Sequence, residues 1–352
     1  MLGLVVLGTR PEAIKLIPII QKCFSEEIPL KILSTEQHFD AVQTLFSDNH
    51  IKIDYRLVPK KYPDLVSQTT DYLSAINSLI NDENFDFIIS QGDTISAYVG
   101  MLYAYLSKID YLYIESGLRT NDFMNPFPEE GLRTMMSHIA RMNFVPTKQE
   151  QTNLELEGID NNKIKIVGNT GIDYLINHMS NQNVNTVPKS VLITIHRREN
   201  WPHLHDFFYR LAEYAKKRSD VTFVYPIHFN PEIQRKAYQL LSNIPNIRIE
   251  EPLVSEKFYT VLSSSEMIIT DSGGVQEEAT YLNKKVVIIR DKIERLFLSK
   301  CIKQVSITDK HLFITINDLL EIPLVEKPNN LVYGDGFASE RIVKWIKEEY
   351  RR

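Results

Sequence analysis

Short apolar runs rich in β-branched residues alternate along the whole chain with longer stretches whose apolar positions recur at helical spacing. Residues 4–7, Leu4-Val5-Val6-Leu7, read as a first strand, and a helix follows from residue 11 to about 23. Pro11 suits a first helical position, where its missing N–H would have no partner. Further strands are predicted at 30–33, 87–90, 111–115 and 143–146, with helices over 64–80 and 134–141 between them. Strands alternating with helices predict a parallel sheet covered on both faces. The polar tract 180–190 breaks this rhythm, so the hinge between two domains is expected there or just before it. The alternation then restarts, with strands at 191–195, 222–225, 247–249, 267–270 and 286–289. The expected fold class is α/β, with two doubly wound, Rossmann-like domains facing across a cleft.

Composition sharpens this picture in a few places. A chain of 352 residues suits two cores rather than one, and 43% hydrophobic with 24% charged residues is globular composition. The formal charge of −5 argues against a general nucleic-acid binder, while a few placed arginines would still hold a small anion. Both cysteines, Cys23 and Cys301, sit in apolar surroundings and read as buried small hydrophobes in a reducing compartment. The apolar start, residues 1–8, lacks a basic n-region and reads as a buried strand rather than a signal peptide. No apolar run reaches the roughly 18 residues of a membrane span, so a cytoplasmic protein with no membrane partner is expected. No cysteine or histidine spacing suggests zinc, and neither G-x-G-x-x-G nor a Walker loop occurs, so no metal and no cofactor are expected.

The candidate chemistry lies where strands end. Gly8, Gly92, Gly117, Gly168, Gly273 and Gly274 each follow a strand-like run, the place where open parallel sheets bind ligands. In Gly8-Thr9-Arg10-Pro11-Glu12-Ala13-Ile14-Lys15, Arg10 stands beside a helix start and Lys15 on its second turn. Helix N–H groups, the helix dipole and a guanidinium fork together suit a phosphate. Thr270-Asp271-Ser272-Gly273-Gly274-Val275-Gln276-Glu277-Glu278 repeats the logic: Ser272 and the glycine amides can receive a diphosphate, and a glutamate one turn on can accept both hydroxyls of a ribose. The simpler reading of the two glutamates is that they favour a helix N-terminus. Asp93, Glu115 and Glu129 are expected at strand ends, where burial and mutual repulsion would raise the proton affinity of at least one, as acid–base chemistry requires. His196 and His228 follow strands of the second half and are expected to reach the cleft from there.

Taken in order, these residues resemble the bacterial non-hydrolysing UDP-N-acetylglucosamine 2-epimerases over almost the whole chain. Gly168-Asn169-Thr170-Gly171-Ile172-Asp173, Arg290-Asp291 with Glu294-Arg295, and Tyr333-Gly334-Asp335-Gly336 extend the match. The resemblance implies the two-domain GT-B fold, with residues 1–169 as the first domain, 170–337 as the UDP-binding second domain, and a last helix at 338–352 returning to the first. It implies a homodimer that needs neither NAD nor metal and acts on a UDP-sugar. By that resemblance Asp93, Glu115, Glu129 and His196 match the catalytic positions. Arg10 and Lys15 would contact the nucleotide, Ser272, Gly273 and Gly274 the diphosphate, Glu278 the ribose and Phe258 the uracil face. Arg295, His228 and Leu253 complete the substrate contacts. The implied reaction inverts C2 by anti elimination of UDP to 2-acetamidoglucal and re-addition. Some stretches depart from the family pattern: Arg290-Asp291-Lys292-Ile293-Glu294-Arg295-Leu296-Phe297, Glu251-Pro252-Leu253-Val254-Ser255, and Glu36-Gln37-His38-Phe39-Asp40-Ala41. The last lies, in bacterial members, near an allosteric substrate site, which argues against that regulation here. A hydrolysing epimerase, a GT-B glycosyltransferase and an inactive sugar-nucleotide sensor are the competing readings.

Overall fold

The structure, a computed structural model, describes residues 1–37, 39–179, 185–227, 230–253, 255–291, 300–323 and 330–350. The chain divides into two compact units, Met1–Tyr174 with Val332–Arg352, and Leu175–Leu331. The first division thus falls five residues beyond the expected 169/170, and the return to the first unit comes six residues before the expected 337/338.

The first unit carries strands β1 (Gly3–Leu7), β2 (Leu30–Ser34), β3 (Tyr55–Arg56), β4 (Phe87–Gln91), β5 (Asp110–Ile114), β6 (Met142–Val145) and β7 (Ile164–Ile166). All are parallel, in the order β3-β2-β1-β4-β5-β6-β7. Its helices are α1 (Arg10–Ser25), α2 (Phe39–Asp48), α3 (Leu65–Ile80), α4 (Ile95–Leu106), α5 (Glu129–Ile139), α6 (Lys148–Leu156) and the start of α7 (Thr170–Met179). Every residue of β1 and β4 is buried, as a central strand covered on both faces requires. α1 packs with α2 on one side, and α3, α4 and α5 pack together on the other.

The second unit repeats the design with β8 (Val187–Thr194), β9 (Thr222–Pro226), β10 (Ile247–Glu250), β11 (Ser265–Thr270), β12 (Lys285–Ile289) and β13 (Ile302–Val305). Their order is β10-β9-β8-β11-β12-β13, again all parallel. Helices α8 (Leu204–Lys217), α9 (Pro231–Leu241), α10 (Ser255–Ser264), α11 (Gly273–Tyr281) and α12 (Leu312–Glu321) accompany them. Phe207, Phe208, Phe223 and Tyr225 anchor a core built from both the sheet and α8. No described helix is long and apolar enough to cross a membrane.

The last helix, α13 (Ala338–Tyr350), belongs to the first unit and lies against α1. Its start is held by a residue far back in the chain. Asp173 accepts the N–H groups of Ala338 at 3.1 Å and Ser339 at 2.7 Å, and the Ser339 hydroxyl at 2.6 Å. A carboxylate at a helix N-terminus satisfies orphan donors and suits the dipole, and it does so here from α7. Further along, Trp345 meets Phe144 edge-on and Tyr350 lies against Phe87, closing the helix over the sheet.

Two sequence expectations shift in detail. α1 begins at Arg10, with Thr9 as its N-cap, so Pro11 is the second helical residue. The helix also runs through Pro18, where the lost N–H is offset by the buried face of Leu16, Ile17, Ile19 and Ile20. Of the two cysteines, Cys23 is buried but Cys301 only half so.

Candidate active site

In each sheet the strand order reverses once, between β1 and β4 in the first unit and between β8 and β11 in the second. Loops at the carboxyl ends of such strands diverge and leave a crevice, which is where ligands bind in this architecture. Of the glycines singled out in the sequence, Gly8 and Gly92 follow β1 and β4 and Gly273 and Gly274 follow β11, at these two places, while Gly117 and Gly168 follow β5 and β7.

At the first, a capping box fixes the turn from β1 into α1. Glu12 accepts the N–H groups of Gly8 at 3.0 Å and Thr9 at 2.7 Å and the Thr9 hydroxyl at 2.7 Å. Its other oxygen accepts the Thr94 hydroxyl at 2.6 Å, tying this turn to the one that leads from β4 into α4. Burial is the larger influence on Glu12 and raises its proton affinity, against the four hydrogen bonds that lower it. A side chain at Gly8 would put Cβ 2.1 Å from the Thr35 hydroxyl and 2.2 Å from that of Ser96, so only glycine fits the close approach. Arg10, the first helical residue, is half-buried and makes no hydrogen bond or ion pair among the described residues.

Lys15 is turned inward. Its Nζ lies 2.5 Å from Glu115 Oε1, and both side chains are buried. Glu115 follows β5 directly and holds φ at 63°, a left-handed conformation uncommon outside glycine. Asn169 Nδ2 donates to the same oxygen at 2.8 Å, and Gln91 Nε2 donates to Oε2. Asp93 sits after β4, half-exposed, with its Oδ2 3.4 Å from Nη2 of the buried Arg133. Arg133 in turn reaches Glu130 Oε2 at 3.3 Å and donates to the backbone carbonyl of Glu129 at 3.4 Å. Among the described residues, Asp93 and Glu115 therefore each have a cation as their ion-pair partner. Glu129 is not at a strand end: it opens α5, five residues before the predicted helix start. The helix begins early because Glu130 ties its first turn to the preceding loop, accepting the N–H groups of Thr120 and Asn121 at 2.9 and 2.8 Å.

At the second switch point, Asp271 is fully buried and organises the loop that carries His196. It accepts the N–H groups of His196 at 3.0 Å and Arg197 at 2.8 Å, and Asn200 Nδ2 at 3.0 Å. His196 Nδ1 lies 3.4 Å from Asp271 Oδ1, while the ring is 48% exposed. Ser272 is the N-cap of α11, its hydroxyl accepting the Val275 N–H at 3.4 Å, and Gly273 and Gly274 are the first two helical residues. First-turn N–H groups have no intrahelical partner and can take an anion. A Cβ built on Gly274 meets none of the described residues within 4 Å, so their packing does not require a glycine there, whereas a ligand approaching the backbone would. Glu278 is buried and accepts the Tyr259 hydroxyl at 3.0 Å. Phe258 is half-buried and edge-on to Tyr259, with ring centres 5.7 Å apart, and Leu253 is half-buried beyond β10. His228 and Arg295 lie outside the described residues.

The structure thus joins Lys15 to Glu115, and adds Gln91, Arg133, Asn169 and Asp271, to which the sequence reading assigns no part. Asn169 and Asp271 lie inside motifs that were legible, but their roles depend on what faces them. Nothing in the sequence marks Gln91 or Arg133 beyond a polar residue at the end of an apolar strand and an arginine one turn after Glu129.

Two doubly wound units with loops of this kind at both switch points place the chain in the GT-B class of α/β proteins. A curated relative from Neisseria meningitidis serogroup A, a UDP-N-acetylglucosamine 2-epimerase, is 34% identical over 365 residues, covering 97% of this chain and 98% of its own length. The chain belongs to the UDP-N-acetylglucosamine 2-epimerase family, whose model matches residues 22–347. Among solved structures, the Neisseria meningitidis UDP-GlcNAc 2-epimerase bound to UDP-GlcNAc superposes with a TM-score of 0.89 at 32% identity, covering 99% of this chain and all of that one. The Methanocaldococcus jannaschii enzyme in complex with UDP-GlcNAc and UDP gives 0.87 at 30% identity, with 99% and 100% covered. The resemblance drawn from the ordered motifs is therefore the family to which the chain belongs.

Proposed function

We propose that this protein interconverts UDP-N-acetylglucosamine and UDP-N-acetylmannosamine by inverting C2 of the sugar. The observation that carries the proposal is membership of the 2-epimerase family over nearly the full chain, and Asp93, Glu115 and Glu129 stand at the positions that the resemblance reads as the family's catalytic carboxylates. In the forward direction a side chain removes the C2 proton while the C1–O bond breaks and UDP departs with the electron pair, leaving 2-acetamidoglucal. UDP then adds back at C1 as a proton reaches C2 from the opposite face. Two faces require two proton-handling groups, and Asp93, Glu115, Glu129 and His196 are the candidates. Arg10 and Lys15 contact the nucleotide, Ser272, Gly273 and Gly274 serve the diphosphate, Glu278 the ribose and Phe258 the uracil, with His228, Leu253 and Arg295 as further contacts. The same reading makes the enzyme cytoplasmic and homodimeric and a supplier of precursor for cell-surface polysaccharide.

The test is to incubate the pure protein with UDP-N-acetylglucosamine in deuterated water and follow it by NMR. The expected product is UDP-N-acetylmannosamine carrying deuterium at C2, with glucal and UDP escaping slowly. Epimer without deuterium overturns the elimination route. Free N-acetylmannosamine with UDP assigns the hydrolysing reaction instead, and an unchanged substrate overturns the activity.

A further inference from the structure

Glu115 is aimed by more than its ion pair with Lys15. Gln91, the last residue of β4, is register partner to Ile114 on β5, and it donates its side-chain amide to Glu115 Oε2. Asn169 donates to Oε1 from the loop between β7 and α7. The direction of that amide is fixed, because Asn169 Oδ1 accepts the Gly171 N–H at 2.8 Å and only Nδ2 remains to face the carboxylate. Asn169 is itself clamped by the chain's final segment. Its backbone N–H donates to the Tyr333 carbonyl at 2.6 Å. Gly168 and Gly334 both hold positive φ, and a Cβ on Gly334 would stand 3.3 Å from the Asn169 nitrogen.

We propose that Asn169 and Gln91 are positioning residues for the Glu115 carboxylate, and that the carboxy-terminal segment sets Asn169 through Tyr333 and Gly334. The inference rests on the reading of Glu115 as a proton-handling group. Its chemical sense lies in the contrast between the donors. An ammonium holds a carboxylate by charge and at the same time opposes its taking a proton. A neutral amide fixes an oxygen by a directed hydrogen bond without adding a positive charge beside it. If a phosphate draws Lys15 away, the two amides keep Glu115 pointed while it becomes the stronger base. Left with Lys15 alone, the side chain would lose its direction at that moment.

Asn169→Asp keeps the size of the side chain and the acceptor for Gly171 but replaces the donor with an oxygen that repels Glu115. Gln91→Met removes the other donor at similar volume. Each variant of the full-length protein is expected to lose about ten- to a hundredfold in kcat with KM within about threefold, since the substrate is bound by other groups. The acid limb of the kcat profile is expected to move to higher pH, because the charged form of Glu115 has lost a donor. In glutamate-labelled protein, the Glu115 carboxyl resonance, assigned by its absence in Glu115→Gln, should titrate at higher pH in both variants. Gly334→Ala should move the same resonance in the same direction without altering any side chain near it. A profile and resonance unchanged in Asn169→Asp and Gln91→Met overturn the proposal, and a silent Gly334→Ala overturns the part assigned to the carboxy-terminal segment. The resonance is read without turnover, so a wild-type protein that fails to epimerise would strike the proposed function and leave this measurement to decide the positioning.

Discussion

Buried charged groups at both switch points show what neighbours do to a side chain. Glu12 is buried with four donors, and Asp271 is buried with three N–H groups upon it, so each spends its charge on organising a loop. Cys23 has no such company, and burial alone pushes its thiol up to about 12, which leaves it inert at neutral pH. Arg10 is the opposite case, a guanidinium with no partner among the described residues, at the first position of a helix whose dipole favours anions. Gly274 makes the sharpest residue-scale test, because folding and binding pull apart there. Alanine in a helix is favoured over glycine by roughly 0.5–1 kcal/mol, and the added methyl meets none of the described residues within 4 Å. Gly274→Ala is therefore expected to melt at or above the wild-type temperature while binding UDP at least about tenfold more weakly, a loss of about 1.4 kcal/mol. Calorimetry for UDP and a thermal melt decide it, and undiminished affinity would remove the glycine turn from the phosphate site.

Among the secondary elements, the ends carry as much of the design as the middles. Ser272, Thr94 and Asn230 cap their helices with local side chains. α13 is different, since Asp173 supplies its cap from α7. Asp173→Ala leaves the Ala338 and Ser339 amides without that acceptor in a buried place, at a cost of about 2 kcal/mol. The expected result is a lower urea midpoint with faster hydrogen exchange confined at first to α13. Burial raises the proton affinity of Asp173, so between its unfolded and folded pKa values the native protein binds the extra proton. Its contribution to stability is then full at the acid end and falls as pH rises through that window, a slope that Asp173→Ala should lack.

At the scale of the whole molecule, each unit has a sheet and core of its own, and the chain's last segment completes the first one. Ile342, Val343 and Ile346 are buried against it. At roughly 1.5–3 kcal/mol for each buried side chain, their removal costs on the order of 5 kcal/mol or more, comparable to the whole stability of many domains. A chain ending at Leu331 is therefore expected to lose the first unit's cooperative transition in calorimetry while the core of the second still melts. An unaltered pair of transitions would show that α13 is dispensable to the fold.

The strands predicted from apolar runs are the central ones, β1, β2, β4, β5, β6, β8, β9, β11 and β12, together with the edge strand β10. A strand buried on both faces must be apolar at nearly every position, and that requirement is written locally. β3 is only Tyr55-Arg56, while β7 and β13 carry Lys165 and Lys303, so these short edge strands give no comparable signal. The same local logic made Asp93, Glu115, Ser272 and the glycine turns legible as residues that follow strand ends. It could not say that Lys15 meets a glutamate 100 residues away, or that Asn169 reaches that glutamate across 54. Nor could it join His196 to Asp271 across 75 residues, or Asp173 to the Ser339 amide across 166. Periodicity records which face of an element is buried, but strand order decides which elements become neighbours, and a side chain's charge is set by what stands opposite it. Residue types and their places at strand ends were thus determined by the sequence itself, and their partners only by the tertiary structure.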